Sequence, residues 1–450
     1  MANNESQGTL GFMDLMSIAV GQIIGAGVMV MSISALGMTG RSVNIAFMVA
    51  AVFTVFGAFP TIFVSSVAKF HGGLYSQHAV FISPIFAGFM QYVGLLSAVS
   101  LGMFAIGLTS YCGMLIPAIK ANEKIWSVIF LTAFFILNYF GTQWMAKVQS
   151  FMFYFLVAAL VIFTVFGLPK VHWAGYFGNE LFGQPLFSNG ISGLIEAASY
   201  LTFATGGATV IMAFSGDAKN PTQDIPRVVI IATLMVAFLY GLLATVIGGV
   251  LPPEEVFAAG NLAPIAAVIL PKPLYYFFVI AGAGFALGTT LNSSIASTMP
   301  PFRRAAADGW FPGIFAKTNK YGVPVTYMFL RYLINAIVLM AGLNVDVLGK
   351  WTLIIGNVTN FVVALSVIRI PKLFPEAWAR SPFHVSDTML KLMLGGTALT
   401  LAIQARMNLK GLSMLIIGFN VCSFVVFWGI ASSLYKAGKI TMKPSYELVA

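Results

Sequence analysis

Apolar residues run along this chain in unbroken stretches of about twenty, parted by short polar segments, and nowhere in the ten-residue alternation of a barrel strand. Lipid supplies no hydrogen-bond partners, so a spanning backbone must satisfy itself, and long continuous runs do so as helices. The runs predict helices over residues 12–36, 43–68, 84–116, 125–141, 148–168 and 192–215. A second set follows over 228–251, 274–299, 325–343, 351–368, 389–405 and 412–435, which makes twelve spans in an all-α polytopic membrane protein.

Composition agrees: 59% of the 450 residues are hydrophobic and 8% are charged, against roughly a quarter charged in a soluble domain. The formal charge of +10 would suit nucleic acid if the cations formed a stripe. They sit instead in short loops, so no nucleic-acid partner is expected and the lipid bilayer is the expected surrounding. With both termini cytoplasmic, the inner segments hold Lys69, Lys147, Lys219, Arg227, Arg303, Arg304, Lys317, Lys320, Arg331, Arg369, Lys372, Arg380, Lys391, Lys436, Lys439 and Lys443. The outer side keeps Arg41, Lys120, Lys124, Lys170, Lys272, Lys350, Arg406 and Lys410. This bias of about two to one sets the orientation by the positive-inside rule and predicts a multi-pass protein of the cytoplasmic membrane.

Residues 1–11 are polar and lack a basic n-region and cleavage site, so the first helix is expected to stay in the mature protein. No linker or low-complexity tract divides the chain. It reads as one transmembrane unit over 1–450, with a first repeat at 12–170, a second at 190–370 and two further helices at 388–436. The cysteines, Cys112 and Cys422, offer no disulfide framework, and the four histidines are scattered. No HExxH, paired acids or histidine cluster stands at one depth, which argues against an intramembrane enzyme. A channel would more naturally show a filter loop or a ring of charge.

Two spans carry glycine clusters at mid-membrane depth. The first holds Gly21-Gln22-Ile23-Ile24-Gly25-Ala26-Gly27, and the sixth holds Phe203-Ala204-Thr205-Gly206-Gly207-Ala208-Thr209. Each interior glycine weakens a helix by roughly 1 kcal/mol relative to alanine. Gly21 and Gly25 also fit GxxxG, a helix-packing pattern. Clusters in spans one and six, five spans apart, match a five-plus-five inverted repeat whose paired discontinuous helices bind a charged solute.

Four motifs then resemble one family. Ile23-Ile24-Gly25-Ala26-Gly27-Val28 is similar to the first-helix signature of the amino acid-polyamine-organocation (APC) superfamily, and His71-Gly72-Gly73-Leu74-Tyr75 to its first inner loop. The run from Ser215 through Asn220-Pro221 to Arg227 resembles the segment leaving helix six. The run from Arg304 through Asp308-Gly309-Trp310-Phe311-Pro312 to Pro324 resembles the loop after helix eight. The resemblance covers about the first 330 residues.

It implies a leucine-transporter-type fold and a secondary transporter of amino acids working by alternating access, as permease or exchanger, without a cofactor. The substrate carboxylate would meet backbone N–H groups at Ala26 and Gly27, beside Gly25. Its amine would meet carbonyls of Ile23, Phe203 and Gly206, beside Ala204 and Gly207, with Phe203 as an aromatic gate. Polar side chains expected around the substrate are Gln22, Ser100, Thr205, Thr209, Thr290 and Asn292, and Ser293 and Ser294 are candidates for a cation site. Many relatives place a lysine in helix five; counting puts that position near Leu156, with no charge in the span, so neither a proton nor sodium is singled out as coupling ion. No acid lies at mid-depth, since Asp14, Glu196 and Asp346 stand near span ends. Neutral amino acids are therefore the expected substrates, with cationic amino acids or polyamines as the alternative.

Overall fold

A computed structural model describes residues 8–25, 27–178, 181–183, 185–342, 345–409, 412–442 and 446–448. The helices that matter below are α1 (Phe12–Ile23), α2 (Ser32–Thr39), α3 (Val43–Val67), α4 (Leu74–Phe81), α5 (Pro84–Ser97), α6 (Ser100–Leu115), α7 (Glu123–Asn138) and α8 (Thr142–Gly167). They continue as α9 (Gly190–Thr205), α10 (Pro221–Gly249), α11 (Phe285–Ala296), α12 (Met299–Ala307), α13 (Val325–Ala341), α14 (Val345–Val367), α15 (Asp387–Leu409) and α16 (Met414–Lys436). Two short strands, β1 (Ala68–Phe70) and β2 (Tyr446–Leu448), pair antiparallel.

Ten helical stretches among the described residues are long and apolar enough to cross a membrane. The apolar α13 is shorter, and α7 has 16 residues. The chain is thus an all-α, multi-pass membrane protein. Its helices face lipid with residues such as Phe151, Phe238 and Val425, all exposed, while their other faces share one apolar core. In that core α1 packs against α8, α10 and α11, and α3 against α9, α10 and α15.

The predicted third span is two helices, because Ala98 and Leu101 bond three residues back and tighten the turn between α5 and α6. Ser97 and Ser100 sit at this joint, each hydroxyl donating to a nearby carbonyl. Arg331, grouped by sequence with the inner loops, lies within α13 and is 4% exposed. Its guanidinium donates to the carbonyls of Ser294 and Ile295 at 3.3 Å each and to Thr298 Oγ1. A cation at the last turn of α11 faces the negative end of that helix, which gives a buried arginine partners without an acid.

Both described ends of the chain are held at one end of the bundle. Thr9 N–H donates to the Asp217 carbonyl at 2.8 Å, and Lys219 N–H to the Leu10 carbonyl at 2.9 Å. β2 lies along β1, with Glu447 3.8 Å from Lys69 and bonded to His71. Burial pushes the Asp217 carboxyl up, while nearby Arg303 and Lys69 oppose the shift.

At the same end, two of the sequence motifs meet. Tyr75 donates to Asp308 Oδ2 at 2.8 Å, Trp310 Nε1 donates to the Tyr75 hydroxyl at 2.7 Å, and Arg304 pairs with Asp308 at 3.4 Å. Gly73, at φ +56°, brings the chain so near Ala213 that a Cβ would stand 2.7 Å from its Cα. Replacing Tyr75 by phenylalanine strands buried Trp310 Nε1 and removes one bond to Asp308. The expected loss is about 1–3 kcal/mol, seen as a lower melting midpoint of purified protein in detergent; an unchanged midpoint would show that the Tyr75 hydroxyl does not hold this cluster together.

Candidate functional site

Both glycine clusters interrupt their helices. α1 stops at Ile23, Ile24 adopts an extended conformation (φ −81°, ψ 95°), and helix resumes as a π-turn over Gly27–Met31 that leads into α2. Ala26 lies outside the described residues. α9 stops at Thr205, Gly206 is extended, Gly207 takes φ +119°, and a tight 3-10 helix covers Ala208–Phe214. Only glycine adopts that conformation at position 207 without strain.

Each interruption strips partners from main-chain groups, and a bare one in an apolar interior costs several kcal/mol. Hydroxyls from other helices reach some of them. Thr290 of α11 donates to the Gly21 carbonyl at 2.9 Å, and Ile24 O lies at 3.3 Å from the same hydroxyl. Tyr240 of α10 donates to the Ile23 carbonyl at 3.1 Å, and Tyr111 of α6 to the Met29 carbonyl at 2.8 Å. Ile23, expected to offer its carbonyl to a substrate amine, thus already receives a tyrosine. Beyond the end of α9, no backbone donor among the described residues meets the carbonyls of Phe203, Ala204 or Thr205.

A cavity of about 240 Å³ opens at these two breaks. Of the expected residues, Gln22, Ile23, Gly25, Gly27, Phe203, Gly206, Gly207, Thr209 and Thr290 line it. Four do not, each for a visible reason. Ala204 turns to Gly27, where an added Cβ would overlap the Ala204 Cα and Cβ. Thr205 stands behind the wall, its hydroxyl 2.6 Å from that of Thr54. Ser100 belongs to the joint after α5. Asn292 joins a buried amide ladder, donating to Gln149 Oε1 and accepting from Asn138 Nδ2, both at 2.8 Å. Ser293 donates to Gln22 Oε1, and Gln22 Nε2 donates to Ser294 at 3.1 Å, so the two serines hold Gln22 in place.

Aromatic rings form one side: Phe203 stacks near Phe104, centroids 6.3 Å apart, with Phe53 on the same cavity. The described lining contains no Asp, Glu, Lys, Arg or His. Its polarity comes from hydroxyls, amides and main chain.

An amino acid permease profile matches residues 10–440. The chain belongs to the amino acid permease family. The match extends well past residue 330, where sequence motifs alone gave out, so the last helices belong to the shared architecture. This permease is 25% identical over 391 residues to the branched-chain amino acid permease BcaP of Bacillus subtilis, covering 82% of each chain. It is 24% identical over 295 residues to a cadaverine/lysine antiporter of Escherichia coli (64% of this chain, 65% of the relative). To the lysine-specific permease LysP of the same species it is 23% identical over 262 residues, covering 54% of this chain and 53% of that protein.

Along α8, Gln149 packs so near Gly21 in the last turns of α1 that a Cβ there would strike its side chain, and Leu156, two turns on, is fully buried. Lys147 is exposed on the same helix. Cavity residues missed by sequence reasoning come mostly from helices without glycine clusters: Thr54 of α3, Thr233 of α10, Asn357 and Asn360 of α14 and Gln404 of α15. The usable signal was an amide inside an apolar run, since such a group is costly away from water.

Thr290 tests the frame of the site. Thr290→Val leaves the Gly21 carbonyl without its donor and should cost about 1–3 kcal/mol, lowering the melting midpoint and weakening binding of whichever amino acid stabilises the permease. Thr290→Ser should restore both; equal behaviour of the two variants would remove the hydroxyl from the account.

Proposed function

We propose that this permease carries neutral amino acids across the cytoplasmic membrane by alternating access. In this reading twelve spans form a leucine-transporter-type fold, helices one to five and six to ten as inverted repeats, with both termini in the cytoplasm. The observation that carries it is an uncharged cavity placed where two interrupted helices end.

A zwitterionic head group suits those ends. The first N–H groups of a helical segment lack internal partners and lie at its positive pole, so the turn beginning at Gly27 favours a carboxylate. The last carbonyls of α9, at Phe203 and its neighbours, lie at a negative pole and favour an ammonium group. Phe203 with Phe104 would close over the bound molecule.

Specificity follows from charge. A cationic side chain in this cavity would meet no carboxylate and would carry its desolvation cost uncompensated. The resemblance to BcaP, named for branched-chain amino acids, supports neutral cargo. Cationic cargo is the second reading, favoured by the likeness to LysP and the cadaverine/lysine antiporter. Coupling to a proton or to sodium belongs to the same proposal.

Ligand-induced thermal shift separates the readings, because anything that binds the folded state raises its apparent stability. Neutral amino acids should raise the midpoint and lysine or cadaverine should not; the reverse pattern overturns the assignment. Gly27 is an ambiguous probe, since a side chain there would strike Ala204. Thr209→Glu is cleaner and should improve competition by lysine by roughly tenfold, the worth of one charge-assisted hydrogen bond. Phe203→Ala should lower uptake into proteoliposomes, and unaltered exchange kinetics in that variant would remove the gate.

A further inference from the structure

Six glycines line the cavity, and they divide sharply by what a side chain would meet. A Cβ at Gly25 would overlap Thr290, at Gly27 it would overlap Ala204, at Gly206 it would stand 2.7 Å from the Thr202 carbonyl, and at Gly207 it would stand 2.9 Å from Gln22 Cγ. Those four are glycines because neighbouring atoms occupy the space. Gly57 of α3 and Gly356 of α14 are different: a Cβ at either would meet nothing within 4 Å. Both are interior positions of long helices, where glycine is disfavoured relative to alanine. Neither close packing nor a positive φ accounts for them. What their lack of a side chain does create is open volume in the cavity wall.

That wall is made of side chains, unlike the two breaks, which present main chain. Beside Gly57 and Gly356 stand Thr54, Thr352, Asn360 and Gln404. If the breaks hold the head group common to all amino acids, the part that differs between them must project elsewhere in the cavity. The volume is small, about 240 Å³, below the usual pocket range of roughly 300–1,000 Å³, so each added methyl group matters to what fits.

We propose that Gly57 and Gly356 set the size of the substrate side chain, holding open a chamber that admits large uncharged side chains such as those of leucine and glutamine. This rests on the reading of the protein as a neutral amino acid permease and adds a size rule to it. Filling the chamber from the wall should exclude large cargo while leaving small cargo able to bind at the breaks. Because a Cβ at either position meets no heavy atom within 4 Å outside its own stretch of helix, the first added carbon enters open space.

The test is uptake into proteoliposomes with unlabelled alanine, leucine and glutamine as competitors, on the unaltered protein and on Gly57→Val and Gly356→Val. Gly94→Val, another α-helical glycine with nothing within 4 Å but outside this cavity, serves as control. In both cavity variants, inhibition by leucine and glutamine should weaken at least tenfold relative to inhibition by alanine, with the control unchanged. Gly57→Ala and Gly356→Ala should shift the ratio in the same direction by a smaller factor, and they decide the matter if a valine variant does not fold. Equal losses for small and large competitors, or profiles identical to the unaltered protein, would overturn the size rule while leaving transport intact. Failure of the unaltered protein to carry any amino acid would instead remove the functional reading and the size rule together.

Discussion

Main-chain polarity inside an apolar bundle governs this structure. A continuous helix conceals its amides and carbonyls from lipid, and two helices here give up that concealment near the same point. The exposed groups then divide into two classes. Hydroxyls of Thr290, Tyr240 and Tyr111, each from a different helix, serve the carbonyls of Gly21, Ile23 and Met29. Others, at the start of the Gly27 turn and the end of α9, border the cavity. The second class requires a polar occupant, which makes the cavity a consequence of the breaks rather than a separate feature.

The loops at the end of the bundle that holds both described chain ends obey the same constraint by different means. The first-loop motif and the motif after α11 look independent in the sequence, yet Tyr75, Asp308 and Trp310 form one buried cluster, with the partly exposed Arg304 paired to Asp308. Gly73 belongs to it because its positive φ lets the loop approach Ala213 in the segment that follows the second break. The cluster therefore joins the connection after α3 to both the Gly207 region and α12.

Much of the fold was legible because lipid leaves little choice. A run of about twenty apolar residues must become helix, and helices occupy every predicted run. The glycine clusters marked the interruptions for an equally local reason, since consecutive glycines weaken the very segment that contains them. Family motifs fixed the class of protein, although they could be followed only to about residue 330 while the shared architecture reaches residue 440.

What only the tertiary structure decided is which way each polar side chain faces. Thr205 is turned toward Thr54, 151 positions earlier, and Asn292 toward Gln149 and Asn138, so residues that looked like cavity lining serve helix contacts. Conversely, Thr54, Asn360 and Gln404 reach the cavity from helices other than the two that carry the interrupting glycine clusters. Arg331 resembles a loop cation until the carbonyls at the end of α11 are seen beside it. Hydropathy is a sum over neighbours along the chain, so it locates helices and their weak points. Rotation of one helix against another depends on side chains hundreds of residues apart, and the run of apolar letters carries no record of it.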